Sequence, residues 1–142
     1  MLHDIQELTA LLGQVKTIAV VGAVDKPGRP VDMVGRYLID AGYDVIPVHP
    51  KRTGVWGLPT YPTLADVPRA VDLVDVFRAA QHCPGHAEET LKLSPLPRCF
   101  WMQTGIFSPE ARQRLAGSGI IVVEDLCLKV FHEQHPPTGA RS

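Results

Sequence analysis

With 142 residues, 45% of them apolar, and a formal net charge of −1, the chain has the size and composition of one ordinary globular domain. That balance excludes a polybasic nucleic-acid binder. No run of 18 apolar residues suggests a membrane span, and the start MLHDIQEL is not that of a signal peptide, so the expected location is the cytoplasm.

In chain order, Asp4 and Glu7 make a capping-box-like start to a helix over 4–13 that stops at Gly13. The run Ile18-Ala-Val-Val21 has no polar face, which suits a parallel strand over 17–22 covered on both sides. Gly22 ends it. A Gly/Pro loop leads to Pro30 and a helix over 31–41 closed by Gly42. A second strand over 44–48 runs into His49-Pro50-Lys51-Arg52. The segment 51–71 is rich in Gly, Pro and Thr, with one helical turn at 64–67 that Thr63 is placed to cap. A third strand over 73–77 is followed by a helix over 84–92 with Pro84 in its first turn, and a fourth strand by a helix opened by Ser108-Pro109-Glu110. A fifth strand over 120–123 precedes a last helix near 125–132. Residues 1–135 are expected to form the domain and 136–142 a disordered tail.

Strands alternating with helices at short spacing predict an α/β, Rossmann-like, doubly wound fold, with a five-stranded parallel sheet and helices on both faces. Right-handed crossovers put the reversal of strand order beside the first strand, where such folds bind ligands. The strand ends meeting there are Gly22-Ala23, His49-Pro50-Lys51, Phe77-Arg78 and Gln103-Thr104-Gly105.

The second strand narrows the ligand. An acid there would take the ribose hydroxyls of NAD, whereas Lys51 and Arg52 suit a ribose that carries its own phosphate, as in NADP or coenzyme A; solvation of a surface loop is the plain alternative. Gly22 is followed by neither G-x-G-x-x-G nor a Walker Gly-Lys-Ser/Thr, so neither common nucleotide fingerprint is present.

Six segments in order resemble the coenzyme A-binding domain family, the stand-alone relatives of the N-terminal domain of the succinyl-CoA synthetase alpha subunit. They are Ala19-Val-Val-Gly-Ala23, Val45-Ile-Pro-Val-His-Pro-Lys51, Tyr61-Pro-Thr-Leu-Ala-Asp-Val-Pro68, Val71-Asp-Leu-Val-Asp-Val-Phe77, Trp101-Met-Gln-Thr-Gly105 and Asp125-Leu-Cys-Leu-Lys129. The resemblance implies coenzyme A as ligand. Its pyrophosphate would lie on the loop from Gly22 through Ala23, Val24, Lys26 and Arg29 to Pro30, with Val48, His49, Pro50 and Lys51 near the phosphate of the adenosine end. Phe77 and Arg78 would line its path, and Gln103 and Gly105 close the far side. The chain departs from the family pattern at Val24, His49, Leu126 and Phe131, where Ser, Asn, Arg and Glu are common.

No catalytic set emerges from the residues. His49 reads as a ligand hydrogen-bond partner or a base, and Asp75, inside an apolar run, as a paired structural carboxylate or an acid. His82, Cys83 and His86 lack the second close-spaced pair that a metal site needs. Trp56 reads as a stacking residue or a loop anchor on the sheet edge, and Trp101 as core. Cys83, Cys99 and Cys127 show no disulfide spacing. The expected function is therefore non-catalytic binding of coenzyme A or an acyl-CoA. An NADP-linked or other nucleotide-using enzyme, and a protein-interaction module with a vestigial pocket, stand as alternatives. An exposed sheet edge would permit a homodimer.

Overall fold

A computed structural model describes residues 3–137. Helix α1 (Ile5–Gln14) precedes strand β1 (Thr17–Val21), α2 (Pro30–Asp40) and β2 (Asp44–Val48). Then follow β3 (Leu73–Val76), α3 (Cys83–Leu91), β4 (Cys99–Met102), α4 (Pro109–Leu115), β5 (Ile121–Val123) and α5 (Leu128–Gln134). All neighbouring strands pair in parallel, in the order β2-β1-β3-β4-β5. Strand order reverses at β1, as the sequence predicts.

The apolar runs make this sheet a central layer. Ile18, Val20, Leu73 and Trp101 face α1, α2 and α5. Their neighbours Ala19, Val21, Val74, Val76, Phe100 and Met102 face α3 and α4. Every residue of β1 is buried, which explains its lack of a polar face.

Helix starts follow local chemistry. Asp4 accepts the Glu7 N–H at 2.6 Å, and Ser108 accepts that of Ala111 at 3.1 Å. In α2 Pro30 occupies the first helical position, and the preceding Arg29 provides no side-chain cap.

Two local expectations differ from the structure. Thr63 precedes a 3-10 turn at Leu64–Asp66 but does not cap it; its hydroxyl donates to Asp66 Oδ2 at 2.8 Å. The last helix begins at Leu128, not near 125. Asp125 has a left-handed φ of 55° and its carboxylate accepts the Gly105 N–H at 2.7 Å, so it belongs to a tie between the β4 and β5 loops. Of the tail expected over 136–142, residues 138–142 lie outside the described residues.

Candidate functional site

At the carboxyl ends of β1, β2 and β3 lies a cavity of about 530 Å³. This is the reversal point of strand order, where neighbouring loops diverge and leave a crevice. Gly22 shapes its floor. Its φ is +87°, and a Cβ placed on it would lie 2.6 Å from the Phe77 carbonyl oxygen, so only glycine lets the β1 and β3 ends approach this closely. The Gly22 and Ala23 N–H groups both donate to the Val48 carbonyl, at 2.9 and 3.3 Å, tying β1 to β2.

Beyond that tie the backbone is unspent. The N–H groups of Val24, Asp25, Lys26, Gly28 and Val31 donate to no protein acceptor among the described residues. They lead into the N-terminus of α2, the positive end of its dipole. Arg29, Lys51 and Arg78 all line the cavity, and among the described residues none of the three is in an ion pair. The lining therefore carries three uncompensated cations in a protein of net charge −1.

His49 lines the same cavity. Its Nδ1 accepts the N–H groups of Lys51 at 3.0 Å and Arg52 at 3.2 Å, curling the basic segment around the ring. Burial pushes its pKa down, and the charges of Arg52, Arg78 and Lys51 push the same way. The ring is thus neutral near pH 7, with its proton on Nε2. The segment is braced from outside by Tyr61, whose carbonyl accepts the His49 N–H at 2.9 Å and which bridges Val48.

A match to the model of the CoA binding domain family runs over residues 16–133, nearly the whole chain. The chain belongs to that family. The uncharacterised protein YneT of Bacillus subtilis is 40% identical to it over 127 residues, 89% of this chain and 92% of YneT. A solved protein of Thermus thermophilus is 42% identical with a TM-score of 0.86, covering 93% of this chain and 98% of its own. The acetyl-coenzyme A synthetase 1 of Ca. Korarchaeum cryptofilum, solved with phosphate and ADP, is 26% identical with a TM-score of 0.68. The match spans 78% of this chain and 26% of that one.

In this CoA-binding domain, Gly22, Val24, Arg29, Pro30, His49, Pro50, Lys51, Phe77 and Arg78 come together around the cavity, joined by Val31. Ala23 and Val48 are buried beneath it, and exposed Lys26 lies on its loop. Gln103 and Gly105 do not line it. Gln103 is buried, with its amide NH2 donating to Asp75 Oδ1 and its oxygen accepting the Leu128 N–H at 3.3 Å. That partner is the structural reading of Asp75, although its second oxygen, Oδ2, meets no hydrogen-bond partner among the described residues. Burial pushes the Asp75 pKa up to about 7, against the lowering effect of the Gln103 bond.

Trp56 turns out to be an anchor, though on α2 and not on the sheet edge. Its Nε1–H donates to buried Asp32 at 2.9 Å, and its indole lies where a Cβ on Gly35 would be, 2.1 Å away. Asp32 and Gly35 were not legible as site supports; a glycine inside a helical pattern was the available signal. His82 falls in a 3-10 turn ahead of α3, while His86 bonds Glu89 at 2.6 Å. Among the described residues no group of three His, Cys, Asp or Glu is placed to hold a metal ion.

Proposed function

We propose that this domain binds coenzyme A, or an acyl-CoA thioester, and holds it without transforming it. The observation that carries the reading is the set of three unpaired cations around free N–H groups at the strand-order reversal. Coenzyme A fits that donor set because it presents a pyrophosphate and a separate ribose phosphate, and both need fixed positive charge. In the proposal the loop Gly22–Pro30 and the first turn of α2 receive the pyrophosphate. Lys51 neutralises the ribose phosphate, and the neutral His49 donates through Nε2. Phe77 offers an apolar wall to the organic part of the ligand.

A passive role is supported by the same residues. The one histidine in the cavity has its basic nitrogen filled by two backbone donors, so it has no free lone pair with which to take a proton. Its depressed pKa keeps it neutral, as a donor and not as an acid. Family membership and the likeness to an acetyl-coenzyme A synthetase favour coenzyme A over NADP.

The test is a thermal-shift panel with coenzyme A, dephospho-coenzyme A, NADP, NAD and ATP, repeated on Lys51→Ala. Ligand at a hundred times its dissociation constant stabilises by about 2.7 kcal/mol, a readily measured rise in the midpoint. Coenzyme A is expected to give the largest shift, and removal of its 3′-phosphate or of Lys51 to weaken binding about tenfold, the equivalent of one charge-assisted bond. A response to NADP with none to coenzyme A would instead favour a nucleotide-using enzyme. Silence across the panel would favour an interaction module.

A further inference from the structure

A second cavity, of about 420 Å³, opens where β4 and β5 end. Its walls are Phe107, Pro109, Val122, Val123 and Leu126, and Phe107 is 57% exposed. A bulky aromatic left this open beside an apolar hollow invites a ligand that covers it. The polar groups around the hollow are engaged. Arg112 pairs with Glu124 at 2.6 Å, Asp125 accepts the Gly105 N–H, and His3 Nε2 bonds the Val122 carbonyl at 3.0 Å. Two carboxylates and one already-paired guanidinium make this a poor place for a negative charge.

The hollow and the cationic cavity both lie at the carboxyl end of the sheet, without a shared lining residue. Val24 and Phe77 of the first cavity and Leu126 of the second pack against the same hydrophobic cluster. A ligand anchored by phosphates over β1 and β2 can extend along the carboxyl edge of the sheet. Beyond β2 the edge is occupied by Tyr61, so a pantetheine arm would run the other way, over β3 and β4 towards β5. Strands lie about 4.8 Å apart, so β5 is roughly 14 Å from β1, within reach of that long arm.

We propose that the hollow between Phe107 and Leu126 receives the uncharged, apolar acyl chain of a thioester whose nucleotide occupies the cationic cavity. The inference rests on the coenzyme A reading and names its cargo: aliphatic acyl groups, in preference to free coenzyme A or to acyl groups ending in a carboxylate.

Calorimetric titration of the intact chain with coenzyme A and its acetyl, butanoyl, hexanoyl, octanoyl and succinyl thioesters tests it. Affinity is expected to rise with chain length, by up to roughly fourfold for each methylene fully buried, with succinyl-CoA no tighter than coenzyme A. Phe107→Ser should remove about tenfold of the octanoyl gain and leave coenzyme A itself unchanged, with an unaltered thermal midpoint because the ring is exposed. Leu126→Ser should flatten the series in the same way. If coenzyme A binds but the wild-type series is flat, or the octanoyl gain survives both substitutions, the acyl site is refuted and the nucleotide site stands. If neither coenzyme A nor any thioester binds, both readings fall together.

Discussion

Asp75 is the residue whose environment departs furthest from its chemistry. It sits fully buried in the middle strand, paired across the sheet with Val20 and Trp101, and only Gln103 offers it a hydrogen bond among the described residues. Its folded pKa of about 7 lies above the unfolded value of about 3.9. Between those values the folded protein keeps a proton that the unfolded chain has released. Stability is therefore highest below about pH 4 as far as this group is concerned, and falls as pH rises through 7. The thiol of nearby Cys99 feels the same carboxylate, which joins burial in pushing its own pKa up. Asp75→Asn removes the titration and keeps the acceptor for Gln103. The expected outcome is a midpoint raised more at pH 8 than at pH 5, and a flatter dependence of stability on pH. Denaturant melts at the two values check it, and an equal shift at both would mean that Asp75 is ionised throughout.

At the scale of elements, the strands and helix starts were legible because each has a local cause. Apolar runs, broken in β3 by Asp75, marked β1 to β5, and Pro30, Pro84 and Ser108-Pro109 marked the first turns of α2, α3 and α4. The start of α5 was not legible, because a tertiary bond from Gly105 to Asp125 holds residues 125–127 out of the helix, and no local pattern encodes it. The loop after β2 is the same kind of case. Glycine in a helix interior costs about 1 kcal/mol against alanine, so Gly35 alone reads as a weakness. In the fold it is the notch that seats Trp56, and Trp56 seats the loop that begins with Lys51 and Arg52. Gly35→Ala would place a methyl group 2.1 Å from an indole carbon and force the ring out. The expected outcome is a red-shifted Trp56 fluorescence component, with buried Trp101 unchanged, and weaker coenzyme A binding although no cavity residue is altered. An unmoved emission maximum would show that the helix shifts to accommodate the methyl group instead.

For the whole molecule, the topology was readable from the alternation of elements, whereas the site was readable only as a set of strand ends. Position along a strand end cannot say which side chains turn inward: Gln103 shares the end of β4 with the crevice, yet it is spent on Asp75. The charge distribution tells the same story. A near-neutral total conceals a division in which Arg36, Arg69, Arg112, Arg114 and Lys129 pair with carboxylates, while Arg29, Lys51, Arg52 and Arg78 cluster without such pairs at one end of the sheet. With so little net charge, long-range attraction is weak, and the affinity for an anionic ligand must come from that local cluster. Such contacts are partly open to water and so are screened by salt, the Debye length shrinking to about 3 Å at 1 M. If each of the three lining cations contributes about 0.5 kcal/mol at low salt, together they are worth about tenfold in affinity. Raising sodium chloride from 50 to 500 mM is therefore expected to weaken coenzyme A binding by about that factor, measured by calorimetry at fixed pH. The gain from lengthening the acyl chain should persist at high salt, because it arises from apolar burial. In Lys51→Ala the salt dependence should shrink, since one of the screened contacts is gone. An affinity indifferent to salt would remove the cations from the phosphate contacts and leave the apolar walls as the source of binding.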